Sequence, residues 1–183
     1  MLKTPYLDRI VSRETLKKIE KYCDFLIKYN KKLNLISKST ENIIMSRHIE
    51  DSSQLLKYIN SEDKNILDIG SGAGFPGIIM YIVKNDLNLD FKLDIVEKSS
   101  KKCTYLQELC KFLEIDVVIH NHDVKNLEKK NYTYDILVFP HQLGAVLEFV
   151  KKFPNQKFVI DHIAKPYIKQ GYFDGWAVLI KEI

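Results

Sequence analysis

A glycine-rich turn between an apolar strand and a helix is the feature of this 183-residue chain that most restricts its fold. The turn follows the apolar run Asn65–Ile69 and ends near Gly77, where a helical pattern begins. Glycine tolerates positive φ angles and lets a ligand touch the backbone, because no Cβ intervenes. Three glycines alternate along the turn: Gly70, Gly72 and Gly74. Such a turn is typical of parallel α/β sheets that bind an adenosine-containing cofactor.

Strand and helix patterns alternate in the rest of the chain after this turn. The predicted strands are apolar on both faces, which is typical of a parallel sheet covered by helices on both sides. We therefore predict an α/β fold. The predicted strands are Asn65–Ile69, Leu93–Glu97, Asp116–Ile119, Asp135–Phe139 and Lys157–Asp161, and the predicted helices lie near 77–84, 99–113 and 142–152.

The residues before the turn have a helical pattern. Apolar side chains recur with the period of an amphipathic helix between Leu16 and Leu33, behind a predicted N-cap at Ser12. A second helix is predicted from about Thr40 to Ile59. We therefore expect a helical extension over residues 1–62 and an α/β domain over residues 63–183.

Positive charge is concentrated in the first third of the chain. Residues 1–64 contain 13 Lys/Arg and 9 Asp/Glu, whereas residues 65–183 contain 15 of each. A basic segment beside a neutral domain favours a polyanionic partner such as RNA. A solvated lysine-rich surface is the alternative interpretation at this point.

Localisation and cysteine state follow from simple features. The longest apolar run, Ile78–Val83, is far shorter than the roughly 20 residues that span a bilayer. The N-terminus has no signal-peptide core, so we expect a cytoplasmic protein without a membrane partner. The three cysteines, which form no CxxC pair, are predicted to be buried and reduced: Cys23, Cys103 and Cys110.

Two cofactors fit the glycine turn and the acidic residue Glu97, which ends the second predicted strand. Gly72, Gly74 and Gly77 satisfy G-x-G-x-x-G, with Glu97 20 residues later, as in nicotinamide-dinucleotide enzymes. Asp68 and the alternating glycines instead match the acidic-x-Gly-x-Gly-x-Gly pattern used for S-adenosylmethionine. In both interpretations Glu97 accepts hydrogen bonds from the ribose hydroxyls. The joint pattern favours S-adenosylmethionine, with Asp68 near its methionine end.

Three motifs occur in order along the chain. The first has Tyr29, Asn30, Asn34 and Leu35; the second, R-H-x-x-D-S, has Arg47, His48, Asp51 and Ser52; the third is the loop Asp68–Gly77 with its Phe-Pro-Gly ending. In this combination the sequence resembles the bacterial small-subunit ribosomal RNA guanine-N7 methyltransferase family, called RsmG or GidB. The resemblance covers roughly residues 10–138.

The resemblance implies a Rossmann-like class I methyltransferase that uses S-adenosyl-L-methionine on small-subunit rRNA or a ribosomal particle, as a monomer. Guanine N7 loses no proton when it is methylated, so no general base is expected. The implied substrate-side residues are Asn34, Arg47, His48 and Asp51. The implied cofactor-binding residues are Asp68, Gly70, Ser71, Gly72, Gly74, Phe75 and Glu97, followed by Asp123, Val124 and Lys125 beside the adenine, although the family usually has an acidic residue in place of Lys125.

The resemblance ends after Val138, where the family has Ser-Arg-Ala and this chain has Phe139-Pro140-His141. Residues 139–176 instead resemble metal-dependent amidohydrolases of the lactone-opening type, with His162 near their metal centre. They are too few for a barrel of about 250 residues. We therefore expect residues 139–183 to be a foreign or strongly diverged segment with atypical or incomplete strands.

That departure leaves other functions open. One alternative is a methyltransferase-like protein that binds cofactor or RNA without turnover, and a less favoured one is an NAD-dependent oxidoreductase. A metal-dependent hydrolase ranks last. The pair His120 and His122 resembles an H-x-H metal motif, but no ligand set surrounds it in the sequence, so we predict no metal site.

Overall fold

The computed structural model describes residues 7–123, 133–136, 143–154, 157–160 and 174–182. The chain forms two compact units, residues 1–127 and residues 128–183. The division at residue 62 that the sequence suggests lies within the first unit and stays a prediction.

The N-terminal part begins with a short helix α1 (Leu7–Ile10) and a long helix α2 (Arg13–Leu33). The Ser12 hydroxyl accepts a hydrogen bond from the Thr15 N–H at 3.2 Å, which confirms the predicted N-cap. Helix α2 ends at Asn34, which adopts a left-handed conformation with φ 47°. One face of α2 is buried, as its apolar period predicts.

The second helix predicted from about Thr40 to Ile59 is confirmed as a helical segment, but it is not one regular α-helix. Serine hydroxyls in this segment donate to main-chain carbonyls three or four residues earlier, as from Ser52 to His48 at 2.6 Å, and such bonds compete with the regular helical ladder. The segment consists of a 3₁₀ turn (Lys38–Ile43), a π-helical turn (Met45–Ile49), helix α3 (Glu50–Gln54) and a second 3₁₀ turn (Leu55–Tyr58).

The α/β part of the first unit has three parallel strands, with β2 between β1 and β3. The apolar runs predicted these strands, but β2 ends one residue before Glu97 and β3 extends to His120. The strands are β1 (Asn65–Ile69), β2 (Lys92–Val96) and β3 (Val118–His120), and the helices between them are α4 (Gly77–Val83), followed by a 3₁₀ turn (Lys84–Leu87), and α5 (Ser100–Leu113).

The described residues of the second unit form a parallel strand pair and two helices. They are β4 (Thr133–Ile136), α6 (Leu143–Lys151), β5 (Lys157–Ile160) and α7 (Asp174–Glu182). The Phe149 ring of α6 lies 5.8 Å from the Phe158 ring of β5. A strand–helix–strand unit therefore occupies the region where the sequence suggested incomplete strands, although residues 137–142 and 161–173 lie outside the described residues.

The core of the first unit joins α2 to the sheet and its helices. Fully buried apolar side chains from these elements form one cluster, including Ile19, Leu26, Ile79, Ile95 and Leu106. The helical extension is thus packed as part of the same core as the glycine turn. Within the described part of the chain, no helix is long and apolar enough to cross a membrane.

The three thiols are free and buried, as the sequence predicts. Burial raises the pKa of Cys23 and of Cys110 to about 12, and it also raises the pKa of Cys103. Because the thiolate is the reactive form, we expect no alkylation by iodoacetamide at pH 8 in the native protein and labelling of all three thiols in denaturant. Intact-mass spectrometry measures both; rapid labelling of a native thiol would contradict the burial.

Candidate functional site

The glycine turn forms a tight loop between β1 and α4. The Gly70 N–H donates to the Val96 carbonyl at 2.7 Å, so the loop begins as an extension of the β1–β2 pairing. The Ser71 carbonyl accepts hydrogen bonds from the N–H groups of Gly74 and Phe75 at 2.8 and 3.2 Å. Three glycines have φ angles of 77°, 60° and 103°, as their alternation predicts: Gly70, Gly72 and Gly74.

Asp68 lies beneath the start of α4. Its carboxylate is buried, and Oδ2 accepts a hydrogen bond from the Gly77 N–H at 3.1 Å. A Cβ on Gly77 would lie 2.6 Å from the same oxygen. The glycine that ends the Phe-Pro-Gly motif therefore allows the helix to begin directly against the carboxylate.

Glu97 connects the glycine loop to the turn after β2. Its Oε2 accepts a hydrogen bond from the Gly72 N–H at 3.1 Å, and its Oε1 accepts one from the Ser99 N–H at 2.8 Å. The Glu97 residue is only 7% exposed. A carboxylate offers about four lone-pair positions, so each oxygen retains capacity for one further donor. This arrangement suits two adjacent hydroxyl groups of a ribose.

Two further observations test whether the loop fits a polar cofactor. The Ser71 hydroxyl is buried and has no hydrogen-bond partner among the described residues. A Cβ built on Gly70 would meet no atom within 4 Å, although its φ of 77° excludes most side chains. A buried unpartnered hydroxyl is costly unless a ligand satisfies it. An adenosine cofactor fits these three features together: the unpartnered Ser71 hydroxyl, the open space beside Gly70 and the two carboxylate oxygens of Glu97.

Two tyrosines that the sequence analysis did not select contact the loop. The hydroxyls of Tyr22 on α2 and Tyr105 on α5 donate to the Ala73 carbonyl at 2.8 and 3.1 Å. In the sequence both occupy apolar helix positions and are indistinguishable from core residues. The available signal was that a buried phenol needs a hydrogen-bond partner.

Asn121 is another residue that the sequence analysis did not select. It follows β3, and its Nδ2 donates to the carbonyls of Glu97 and Lys98 at 3.0 and 3.2 Å. Its Oδ1 accepts a hydrogen bond from the Ser100 hydroxyl at 2.9 Å. One amide group therefore holds the backbone of the turn that carries Glu97.

One predicted substrate-side residue contacts the loop. The His48 ring stacks on the Phe75 ring at 4.9 Å between centroids and 16° between planes, and its Nε2 lies 3.1 Å from the Thr40 hydroxyl. The structure therefore joins His48 to a predicted cofactor-binding residue. The Tyr22 ring meets Phe75 edge-on, 5.5 Å away.

The other predicted substrate-side residues have different surroundings. Arg47 forms an exposed ion pair of 3.9 Å with Asp51, one turn along the chain. Exposed pairs of this kind contribute little to stability, so the guanidinium can exchange its partner readily. Asn34 forms the left-handed end of α2, where its N–H donates to the Asn30 carbonyl at 3.1 Å.

The residues predicted beside the adenine are only partly described. Asp123 follows β3 and forms an ion pair of 3.1 Å with Lys98. Val124 and Lys125 lie outside the described residues, as do His141 and His162. Pro140, where the sequence departs from Ser-Arg-Ala, also lies outside them.

The H-x-H pair is part of the strand ends. The His120 Nε2 lies 2.9 Å from the Asp94 carboxylate, and the His120 and His122 rings are 5.8 Å apart. Among the described residues, no group of three or more His, Cys, Asp or Glu side chains could hold a metal ion.

The chain matches the family model of GidB, described as rRNA small subunit methyltransferase G, over residues 15–156. It is similar to curated proteins with the name "Ribosomal RNA small subunit methyltransferase G". The protein of Orientia tsutsugamushi (strain Ikeda) is 34% identical over 82% of this chain and 73% of its own length. The protein of Rickettsia akari (strain Hartford) is 36% identical over 87% of this chain and 81% of its own length. The protein of Cereibacter sphaeroides (strain ATCC 17029 / ATH 2.4.9) is 38% identical over 60% of this chain and 53% of its own length.

Solved methyltransferase structures share the fold at low sequence identity. An O-methyltransferase from Bacillus cereus in complex with SAH has a TM-score of 0.53 and 14% identity, with 96% of this chain and 80% of that chain covered. A putative O-methyltransferase from Klebsiella pneumoniae has a TM-score of 0.52 and 12% identity, with 97% of this chain and 79% of that chain covered. These similarities confirm the predicted Rossmann-like α/β methyltransferase fold.

The family match also corrects the interpretation of the C-terminal part. It continues to residue 156, past residue 138, where the motif resemblance ended. The resemblance of residues 139–176 to amidohydrolases finds no support. A methyltransferase family confirms S-adenosyl-L-methionine over a nicotinamide cofactor. The chain belongs to the rRNA small subunit methyltransferase G family, GidB.

Proposed function

We propose that this protein transfers the methyl group of S-adenosyl-L-methionine to N7 of a guanine in small-subunit ribosomal RNA. The observation that carries the proposal is the Glu97 carboxylate, which bridges the glycine loop and the turn after β2 with one acceptor position free on each oxygen. Family membership supports the RNA substrate. The reaction takes place where ribosomes assemble, in the cytoplasm.

The cofactor is held by the loop and the strand ends on either side of it. Glu97 accepts hydrogen bonds from the ribose hydroxyls, and the Ser71 hydroxyl forms a hydrogen bond with a polar group of the cofactor. Asp68 provides negative charge at the methionine end of the cofactor. Gly70, Gly72 and Gly74 permit close approach to the backbone, and Phe75 lines the same pocket. We place the adenine beside the segment Asp123, Val124 and Lys125.

Positioning is the main contribution of the protein to this reaction. When bound, S-adenosyl-L-methionine supplies a methyl group on a cationic sulfur, which the guanine N7 lone pair accepts without losing a proton. No side chain has to act as a base, so the residues hold the reacting atoms in line. The stacking of His48 on Phe75 supports a substrate side that lies next to the cofactor loop.

The helical extension provides the surface for RNA. Helix α2 contains seven Lys/Arg and three Asp/Glu residues, and Arg47 is exposed on the segment that contacts the loop. Such charges bind phosphates in a salt-dependent way. Asn34, Arg47, His48 and Asp51 are the proposed substrate-side residues, and the protein acts as a monomer.

The test combines binding with methyl transfer. The protein is titrated with S-adenosylhomocysteine by calorimetry and then incubated with methyl-labelled S-adenosylmethionine and unmethylated small-subunit particles or free rRNA. We expect heat of binding and label recovered as 7-methylguanine after RNA digestion. No heat at millimolar ligand contradicts the cofactor site, and label on another base contradicts the N7 assignment. Binding without label would favour the alternative without turnover.

Glu97→Gln is expected to weaken S-adenosylhomocysteine binding by about 10- to 100-fold, since hydrogen bonds to a charged group contribute about 1.5–3 kcal/mol each. Glutamine also places an NH₂ group where one oxygen accepts a backbone N–H. Calorimetry measures the affinity. Glu62→Gln removes the same charge from an exposed turn and should change nothing. Equal affinity of Glu97→Gln and wild type would contradict the role of Glu97.

A further inference from the structure

Two buried tyrosines from separate helices reach one backbone atom of the glycine loop. Tyr22 and Tyr105 are 0% and 1% exposed, and both hydroxyls donate to the carbonyl oxygen of Ala73. Ala73 lies between Gly72 and Gly74, the two glycines with φ angles of 60° and 103°. The acceptor therefore belongs to the most unusual stretch of backbone in the loop.

The loop requires restraint from outside because glycine permits many backbone conformations. A carbonyl oxygen has two lone pairs, and the two phenols use both at Ala73. These bonds fix the orientation of the peptide group between Ala73 and Gly74. The neighbouring Gly72 N–H is bound to Glu97, so the same stretch of backbone sets the position of the ribose acceptor.

The two phenols are fixed donors. Burial raises the pKa of Tyr22 and the pKa of Tyr105 well above the ordinary value for tyrosine. Both hydroxyls therefore keep their protons at neutral pH and can donate to the Ala73 carbonyl. The rings also pack independently of the hydroxyls: Tyr22 against Phe75 at 5.5 Å, and Tyr105 against Tyr29 at 5.4 Å.

We propose that Tyr22 and Tyr105 are a redundant pair of positioning residues that hold the glycine loop in its cofactor-binding conformation. The proposal rests on the proposed function of the loop. Either hydroxyl alone keeps the Ala73 carbonyl satisfied, whereas loss of both leaves a buried carbonyl without a partner. Helix α2 is then part of the cofactor site as well as of the RNA-facing extension.

The test is a double-mutant cycle with Tyr22→Phe, Tyr105→Phe and the double variant, which keep the rings and remove only the hydroxyls. We expect each single variant to bind S-adenosylhomocysteine within about 1.5-fold of wild type, and the double variant to bind at least about 10-fold more weakly, well beyond the roughly twofold that two independent losses would give. The KM for S-adenosylmethionine should rise with it, whereas the KM for RNA should not change. Tyr81→Phe, on α4, is the matched control.

The outcomes separate this inference from the function on which it rests. If wild type binds no S-adenosylhomocysteine, the proposed function fails. If wild type and the double variant bind S-adenosylhomocysteine equally well, the redundant pair is refuted. It is also refuted if the loss of affinity in the double variant equals the product of the losses in the two single variants. If the double variant does not fold, hydrogen exchange of amides 72–75 in the single variants decides. If the amides of both single variants are protected from exchange as well as those of wild type, the redundant pair is supported. Faster exchange in either single variant contradicts the redundant pair.

Discussion

Gly72→Asp is expected to abolish detectable binding of S-adenosylhomocysteine, even at millimolar ligand. Gly72 has a φ of 60°, and its N–H donates to the Glu97 carboxylate at 3.1 Å. The substitution adds a second carboxylate beside this one, in a site that is largely shielded from solvent. Like charges brought together in this way cost several kcal/mol, and each 1.4 kcal/mol is tenfold in affinity. The new side chain would also lie on the part of the loop that we propose the cofactor contacts.

Gly175→Asp is the matched control for this variant. Gly175 lies in the exposed first turn of α7, where a Cβ meets no atom within 4 Å, and an acidic residue is favourable there. This control should bind as wild type does. A Cβ on Gly72 meets only the Gly70 carbonyl, at 3.7 Å, but the φ of 60° adds backbone strain of about 1–2 kcal/mol, so thermal unfolding is measured beside binding to show that Gly72→Asp is folded. Affinity within tenfold of wild type would contradict the cofactor site.

The features of the site that could be predicted from the sequence are those that residues adjacent in the sequence determine. The positive φ angles of the loop and the acidic residues at the ends of β1 and β2 follow from short stretches of chain. The missing part depends on distant partners. Tyr22 and Tyr105 reach Ala73 over 51 and 32 residues, and Asn121 reaches Glu97 over 24. Apolar periodicity places such residues on a buried face but does not identify their acceptors.

Two differences from the sequence predictions have physical causes. The periodicity of Thr40–Ile59 predicts a helix and its buried side, but it does not distinguish α, 3₁₀ and π turns, and serine hydroxyls that bond to the helix backbone compete with the regular ladder. In the C-terminal part, the sequence Phe158–Pro166 resembles an amidohydrolase strand without support from the family match, because a short apolar run followed by polar residues is typical of parallel strands in many folds. The β4–α6–β5 unit shows that this region repeats the strand–helix–strand arrangement of the first half.

Gly77→Ala is expected to displace Asp68 and thereby weaken both folding and cofactor binding. The new Cβ would lie 2.6 Å from the Asp68 Oδ2 and 2.9 Å from its Cβ. Asp68 is buried at the end of β1, so its Cβ cannot move away as the tip of a flexible side chain could. Overpacking of this kind costs about 1–3 kcal/mol, and it separates the Gly77 N–H from its acceptor.

Thermal unfolding and calorimetry measure the two effects of Gly77→Ala separately. At about 2–4 °C per kcal/mol for a protein of this size, the melting temperature should fall by roughly 2–12 °C. Affinity for S-adenosylhomocysteine should fall at least about tenfold, because the displaced carboxylate would no longer face the proposed methionine end of the cofactor. Gly144→Ala, in α6 with open space around it, makes the same change without a clash and should leave the melting temperature equal or slightly higher. A Gly77→Ala protein with unchanged stability and affinity would mean that Asp68 does not lie against the start of α4, and the acidic end of the proposed cofactor site would have to be placed elsewhere.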